Sequence, residues 1–152
     1  METDLIHVPE VHEATLVYRA TPVRQRPHVH SSKQAYELLL PWFDDAMDLR
    51  EEFRVLLLDR GNKVKAVYCV SQGGMHSTTA DPKIIFCAAL KGLAAAIVLA
   101  HNHPSGVLRP SDEDLDLTKQ LAQGGQILKI DVKDHIILTR EGYYSFADNG
   151  QL

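Results

Sequence analysis

Two short runs of apolar residues mark the strands that we expect to be most deeply buried. Residues 53–58 are apolar except for Arg54, and residues 93–100 are apolar without interruption. A continuous apolar run of about 4–8 residues is typical of a strand that is covered on both faces. We therefore predict a strand at each run, with residues 93–100 in the centre of a sheet.

Turn residues and shorter apolar segments extend this sheet. Arg60-Gly61-Asn62 is predicted to be a hairpin turn that leads residues 53–58 into a return strand, and Gly73-Gly74 is expected to end that strand. The return strand and the other strands are predicted at residues 63–70, 14–19, 126–132, 134–139 and 143–146.

Capping residues predict where two helices begin. A helix is expected over residues 31–47, with Pro41 kinking or splitting it because proline cannot donate a backbone hydrogen bond. Asp81 and Pro82 are a favourable N-cap and first helical residue for a second helix over residues 82–92. That helix is apolar on most sides, so we expect it to be buried.

A third, amphipathic helix is predicted from Ser111 to about Gln123, ended by Gly124-Gly125. Strands that alternate with helices indicate an α/β domain with a mixed sheet. The length of 152 residues fits one domain, which we take to span residues 1–152.

Composition narrows the class of protein. The formal net charge is -4, whereas a general nucleic-acid binder normally has a basic excess, so the charge argues against nucleic acid as a partner without excluding it. The two cysteines, Cys69 and Cys87, lie in apolar runs and are predicted to be buried free thiols, which suits a reducing compartment. The N-terminal residues show no secretory signal, and no run is long enough to span a membrane. These features predict a cytoplasmic protein.

The chemistry of the chain is concentrated where the central strand is expected to end. His101 and His103 follow that strand, and residues i and i+2 of an extended chain project to the same side. Asp114 lies in the first turn of the next helix, which the intervening loop can fold back toward the histidines. Two imidazoles and one carboxylate suit one zinc ion and leave a fourth position for water, as in catalytic sites. Ser111 and Asp114 also have the spacing of a helix capping box.

The residues His101, His103, Ser111 and Asp114, with Pro104 after the second histidine, match the JAMM motif of the JAB/MPN zinc metalloprotease family. The chain resembles the RadC-like branch of that family over about residues 12–148. The resemblance continues in order through Glu51-Glu52-Phe53, Val70-Ser71-Gln72-Gly73-Gly74, Asp134-His135-Ile136-Ile137 and Gly142-Tyr143-Tyr144-Ser145-Phe146. It implies a single MPN/JAB domain with a curved mixed sheet flanked by helices, similar to the cytidine deaminases.

The resemblance also implies a mechanism: a zinc-activated water hydrolyses a peptide or isopeptide-like amide, with a glutamate as general base. The glutamate that matches the family is Glu51. From the residues alone the choice between Glu51 and Glu52 is open, because a strand alternates faces and only one of them can point at the zinc. The resemblance gives Ser111 the role of stabilising the oxyanion, beside its capping role.

A second function remains as an alternative. RadC-like proteins carry a DNA-repair label, so the chain is alternatively a non-catalytic, zinc-bearing interaction module in a repair or mobile-element pathway. Many of these proteins have an N-terminal helix-hairpin-helix segment, and this sequence has none that we detect. Of the other histidines, His135 is expected in the core or, as the alternative, directly behind the metal ligands, and His76 in a loop or, as the alternative, lining the cleft. His28-x-His30 lacks a third ligand at a suitable spacing.

Overall fold

A computed structural model of the protein describes residue 19 and residues 22–73 and 80–152. Within these ranges five strands form one open sheet in the order β2-β1-β3-β4-β5. The strands are β1 Glu52–Leu58, β2 Val64–Gln72, β3 Ala96–Asn102, β4 Asp131–Thr139 and β5 Gly142–Ser145. Only the β3–β4 pair is parallel, and the other three pairs are antiparallel. The predicted α/β fold with a mixed sheet is thus confirmed.

In the part of the chain that the structure describes, three α-helices cover the two faces of this sheet. They are α1 Ser32–Leu39, α2 Pro82–Lys91 and α3 Asp112–Leu128. One core cluster joins α1 to Leu56 and Leu58 of β1, and a second joins α2 and α3 to Val55 and Leu57. Strand alternation therefore sends successive β1 side chains into two separate cores. Every residue of β3 is also buried, which explains the continuous apolar run.

The central strand lies two to three residues later than predicted. Leu93 is 76% exposed in the turn before β3, and the strand continues to Asn102. His101 remains inside the sheet because it pairs with Phe53 of β1 and with Ile137 of β4. The first histidine of the site is therefore held by two neighbouring strands rather than by a loop.

The predicted end of the third helix at Gly124-Gly125 is wrong. Helix α3 runs through both glycines to Leu128 and ends at Lys129, which has a left-handed backbone (φ 58). The glycines serve close packing: a Cβ at Gly125 would lie 2.4 Å from the Ile130 carbonyl oxygen, and one at Gly124 would lie 2.8 Å from the Phe86 ring. The two strands predicted at 126–132 and 134–139 are accordingly one strand, β4.

The first helix is shorter than predicted. Helix α1 ends at Leu39, and a 3-10 turn, Leu40–Trp42, contains Pro41. Because proline lacks an amide proton and crowds the preceding turn, the helix does not continue to Met47. Met47 is nevertheless buried, in the turns that follow.

Helix α2 is less buried than its composition predicts. Ile85 and Ala89 are buried, whereas Ile84 and Leu90 are 42% and 51% exposed. Cys87 is exposed on this helix and Cys69 is only half-buried, so the expectation of two buried thiols is wrong, although both are free. The apolar face of the helix is wider than the sheet surface available to cover it.

Some sequence predictions fall outside the described residues. The strand predicted at 14–19 lies there except for Arg19, and so do Gly74 and His76. Among the residues that are described, no helix is both long enough and apolar enough to cross a membrane.

Candidate metal centre

The end of β3 and the start of α3 bring three potential metal ligands together. His101 is fully buried in β3, and His103 follows the strand, held by a hydrogen bond from its amide to the Leu138 carbonyl of β4 (3.0 Å). The Nε2 atoms of the two histidines are 2.9 Å apart. The Asp114 carboxylate meets both, with Oδ1 3.2 Å from His101 Nε2 and Oδ2 3.7 Å from His103 Nε2.

A capping box orients Asp114. The Ser111 hydroxyl oxygen accepts a hydrogen bond from the Asp114 amide (3.1 Å), and the Ser111 amide donates to Asp114 Oδ2 (2.8 Å). Ser111 is thus the N-cap of α3. One carboxylate oxygen serves the helix start while the other faces His101. The Ser111 oxygen acts here as an acceptor, so its own proton is still available for donation.

The geometry of these atoms fits a zinc ion. One ligand atom from each of His101, His103 and Asp114 lies within 4.8 Å of the others. Ligands about 2.0–2.1 Å from a tetrahedral zinc lie about 3.3 Å from one another, and the separations above bracket that value. The Nδ1 atom of His103 lies 2.7 Å from the Val107 carbonyl oxygen, which can only accept. The proton of the neutral ring is therefore on Nδ1, and Nε2 presents its lone pair to the site.

Electrostatics favour a charged carboxylate at this point. Burial alone would raise the pKa of Asp114, but the imidazole groups of His101 and His103 beside its carboxylate hold the pKa well below its ordinary range. Burial alone would lower the pKa of His103, yet the Asp114 carboxylate, the Val107 carbonyl and the nearby charge of Glu51 raise the pKa above its ordinary value. The site therefore attracts positive charge.

The two adjacent glutamates lie in different environments. Glu52 is only 1% exposed, and its carboxylate oxygens contact Arg50 (2.8 Å) and Arg54 (2.6 Å). Strand alternation puts Glu52 on the face opposite Phe53, and Phe53 pairs and stacks with His101. Glu51 has the parity of Phe53, is half-buried, and lies close enough to raise the pKa of His103.

Two further residues contact the site: His135, for which the core was the favoured prediction and a position behind the ligands the alternative, and Thr118, which was not predicted. His135 is fully buried in β4, and its Nε2 lies 2.8 Å from His101 Nδ1. Its Nδ1 lies 2.6 Å from the Thr118 hydroxyl of α3. Thr118 comes four residues after Asp114 and so lies on the same helix face, a signal that was available in the sequence. A histidine inside an apolar strand also requires a polar partner.

The second H-x-H sequence lies apart from this site. His28 forms an isolated bridge with Lys63, and its ring stacks on that of His30 with centroids 5.1 Å apart. Both side chains are exposed, and the potential metal-binding cluster found in the described residues contains neither.

Fold and site together define a class: α/β domains with a possible metal centre at the carboxyl end of a central strand. The family model of the RadC-like JAB domain matches residues 29–151, and the chain belongs to that family. It is 40% identical over 129 residues to a "UPF0758 protein" of Porphyromonas gingivalis, covering 84% of this chain and 56% of the relative. It is 38% identical over 132 residues to a "UPF0758 protein" of Flavobacterium johnsoniae, covering 87% of this chain and 57% of that relative. It is 44% identical over 103 residues to a "UPF0758 protein" of Pelobacter propionicus, covering 68% of this chain and 45% of that relative. The chain thus spans about half the length of the curated relatives it matches.

Proposed function

We propose that the protein is a zinc-dependent hydrolase of the JAMM type that cleaves a peptide or isopeptide-like amide bond. The convergence of His101 Nε2, His103 Nε2 and the Asp114 carboxylate on one point carries the proposal. One zinc ion bound there would supply a Lewis acid that polarises a carbonyl and makes a water more acidic. The remaining chemistry falls to residues around these ligands.

In this proposal Glu51 is the general base. Hydrolysis requires a group that takes a proton from water and returns it to the leaving amine. Glu51 is supported by its strand parity and by its electrostatic effect on His103. Glu52 is a poor candidate because both of its oxygens contact arginines on the other face.

Ser111 is proposed to stabilise negative charge that develops on the substrate carbonyl oxygen. Its hydroxyl is exposed at the rim of the site and accepts from the Asp114 amide, so donation to a substrate oxygen is chemically compatible with capping. The substrate class that follows is a peptide or a protein.

The test is a cleavage assay on zinc-loaded protein with peptide and isopeptide libraries. We expect Glu51→Gln to lower cleavage at least about 100-fold, the scale of general acid–base catalysis, while the zinc content is unchanged. Glu37→Gln is the matched control, because Glu37 is an exposed glutamate of α1 on the other side of the sheet. Cleavage that survives Glu51→Gln would contradict the assignment of the base.

Folded, zinc-loaded protein that cleaves no member of diverse libraries would favour the alternative, a zinc-bearing interaction module. Binding to DNA with an affinity that falls steeply with salt would identify nucleic acid as the partner of that module. The net charge of -4 gives this outcome little support.

A further inference from the structure

A chain of buried hydrogen bonds connects two of the proposed zinc ligands behind the site. It begins at the Thr118 hydroxyl, which donates to the Asp114 carbonyl oxygen at 2.6 Å. A hydroxyl has one proton and a carbonyl oxygen can only accept, so that proton is committed to Asp114. Thr118 therefore offers a lone pair, not a proton, to its next neighbour.

That neighbour is His135. Its Nδ1 is 2.6 Å from the Thr118 oxygen, so the ring must carry a proton on Nδ1 for a hydrogen bond to form. His135 is fully buried, and a buried imidazole is favoured in its neutral form because desolvation of the charged ring is costly. A neutral ring with its proton on Nδ1 has a lone pair on Nε2.

The lone pair of His135 faces His101. The distance from His135 Nε2 to His101 Nδ1 is 2.8 Å, so His101 donates its Nδ1 proton there. His101 Nε2 is then left with its lone pair, at the point where His103 Nε2 and Asp114 Oδ1 also lie.

We infer that Thr118 and His135 are positioning residues that hold His101 in the tautomer able to bind the metal. The inference rests on the proposed zinc site. It assigns to this chain a relay, Thr118–His135–His101, whose direction is set by the carbonyl of Asp114, itself a proposed ligand. Such partners behind a ligand typically change metal affinity about 10-fold to 100-fold when they are removed.

Aromatic packing restricts the orientation of both imidazole rings of the relay. Phe53 stacks on His101 with an interplanar angle of 4° and centroids 5.8 Å apart. Phe146 stacks on His135 at 15° and 4.5 Å. A ring flip of either histidine, which would put ring carbons where the nitrogens now lie and break the hydrogen bonds of the relay, is therefore opposed by packing. His103 differs, because the carbonyl of an exposed loop residue, Val107, sets its tautomer.

The test uses Thr118→Val, which removes the hydroxyl at nearly constant shape, and Thr118→Ser, which retains it. In metal-free wild-type protein, long-range ¹H–¹⁵N spectra of the imidazoles should show protonated Nδ1 and bare Nε2 for both His101 and His135. Thr118→Val should mix the tautomers of His135 and His101 and weaken zinc binding, measured by chelator competition, by about 10-fold or more. Thr118→Ser should keep the wild-type spectra and an affinity within about twofold of wild type.

A His101 protonated on Nε2 in the metal-free wild type would overturn the inference, as would a Thr118→Val protein with unchanged spectra and affinity. If Thr118→Val does not fold, His135→Gln replaces it, since its carboxamide oxygen can accept from His101 Nδ1. The His101 tautomer must then persist, and its loss would contradict the relay. Wild-type protein that binds no zinc would overturn the proposed metal centre, while the nitrogen assignments would still decide the relay.

Discussion

Two buried polar clusters lie back to back across the sheet, where β1 begins and β3 ends. The arginine cluster faces the turns after α1 and consists of Arg50, Glu52, Arg54 and Asn102. The histidine cluster faces α3 and consists of His101, His103, Asp114, Thr118 and His135. His101 and Asn102 are consecutive residues of β3. They belong to different clusters because successive side chains of a strand point to opposite faces.

The arginine cluster satisfies its carboxylate within the protein, and among the described residues only Arg54 Nε is a buried side-chain polar atom without a hydrogen-bond partner. Each carboxylate oxygen of Glu52 has an arginine partner. The Asn102 amide nitrogen lies within 2.9–3.3 Å of three backbone carbonyls, and its oxygen accepts from the Glu52 amide. Such a network locks the start of β1 against β3 and the preceding turns, which is a structural role.

The histidine cluster leaves three potential metal ligands facing one another. Its hydrogen bonds order the rings from behind, yet the lone pairs of His101 and His103 and the Asp114 carboxylate meet at one point. The comparison teaches that burial and polarity alone do not mark a functional residue. Glu52 is the more deeply buried glutamate and has the clearer partners, and for that reason Glu51 is the better candidate for chemistry.

The largest expected effect is a loss of stability on substitution of Glu52 in the arginine cluster. Glu52→Gln leaves Arg54 buried without its anionic partner, so we expect the free energy of unfolding to fall by about 3–5 kcal/mol. The measurement is denaturant unfolding, with zinc content assayed on the folded protein. Zinc stoichiometry should be unchanged, and a Glu52→Gln protein that folds normally but loses zinc would contradict the separation of the two clusters.

The second effect concerns the pH dependence of zinc affinity. Zinc binds neutral imidazole, and the pKa of His103 is raised, so affinity should fall about tenfold per unit once pH drops below that pKa. The stability of the metal-free protein should depend on pH in the opposite sense, falling as pH rises. A raised pKa stabilises it below the unfolded value of about 6.5, and this contribution is lost as pH rises through the folded value. Denaturant unfolding of the metal-free protein and chelator competition, each across pH 5–9, measure stability and zinc affinity. If the two quantities changed with pH in the same direction, the pairing of His103 with Asp114 would be contradicted.

A smaller effect is expected at the helix cap. Ser111→Ala removes the acceptor for the Asp114 amide and should lower the free energy of unfolding by about 1 kcal/mol. Ser111→Asp, which can still cap, is the control for stability. A loss of cleavage in both variants, with zinc retained, would support the proposed role of the Ser111 proton, whereas full activity in Ser111→Ala would exclude it.

The smallest effect lies at the rim of the arginine cluster. The Arg50 side chain is 42% exposed, whereas that of Arg54 is 15% exposed and lies over the Phe43 ring. Solvent screens the first contact, so Arg50→Gln should cost about 0–1 kcal/mol and less than Arg54→Gln. Denaturant unfolding of the two variants gives the order, and a reversed order would contradict this account of burial.

Local chain geometry made part of the site predictable. The i, i+2 spacing of His101 and His103 and the Ser111–Asp114 cap are set within a few residues, so the sequence analysis could group them. The choice between Glu51 and Glu52 depends on how β1 pairs with β3, which no local rule supplies.

Long-range packing explains what the local sequence pattern left open or missed. His135 reaches His101 from a strand 34 positions later. Gly124 and Gly125 have the composition of a helix stop, but Phe86 and Ile130 make them sites of close packing. The α/β class and most elements followed from apolar periodicity, whereas the boundaries depended on such contacts.

The most direct test of the proposed metal centre is the metal content of protein purified without chelator. We expect about one zinc per chain, lost in His103→Ala and retained in His30→Ala. The second variant alters the chain's other, exposed H-x-H sequence and is therefore the matched control. Folded wild-type protein without zinc, or zinc retained in His103→Ala and lost in His30→Ala, would contradict the assignment of the site.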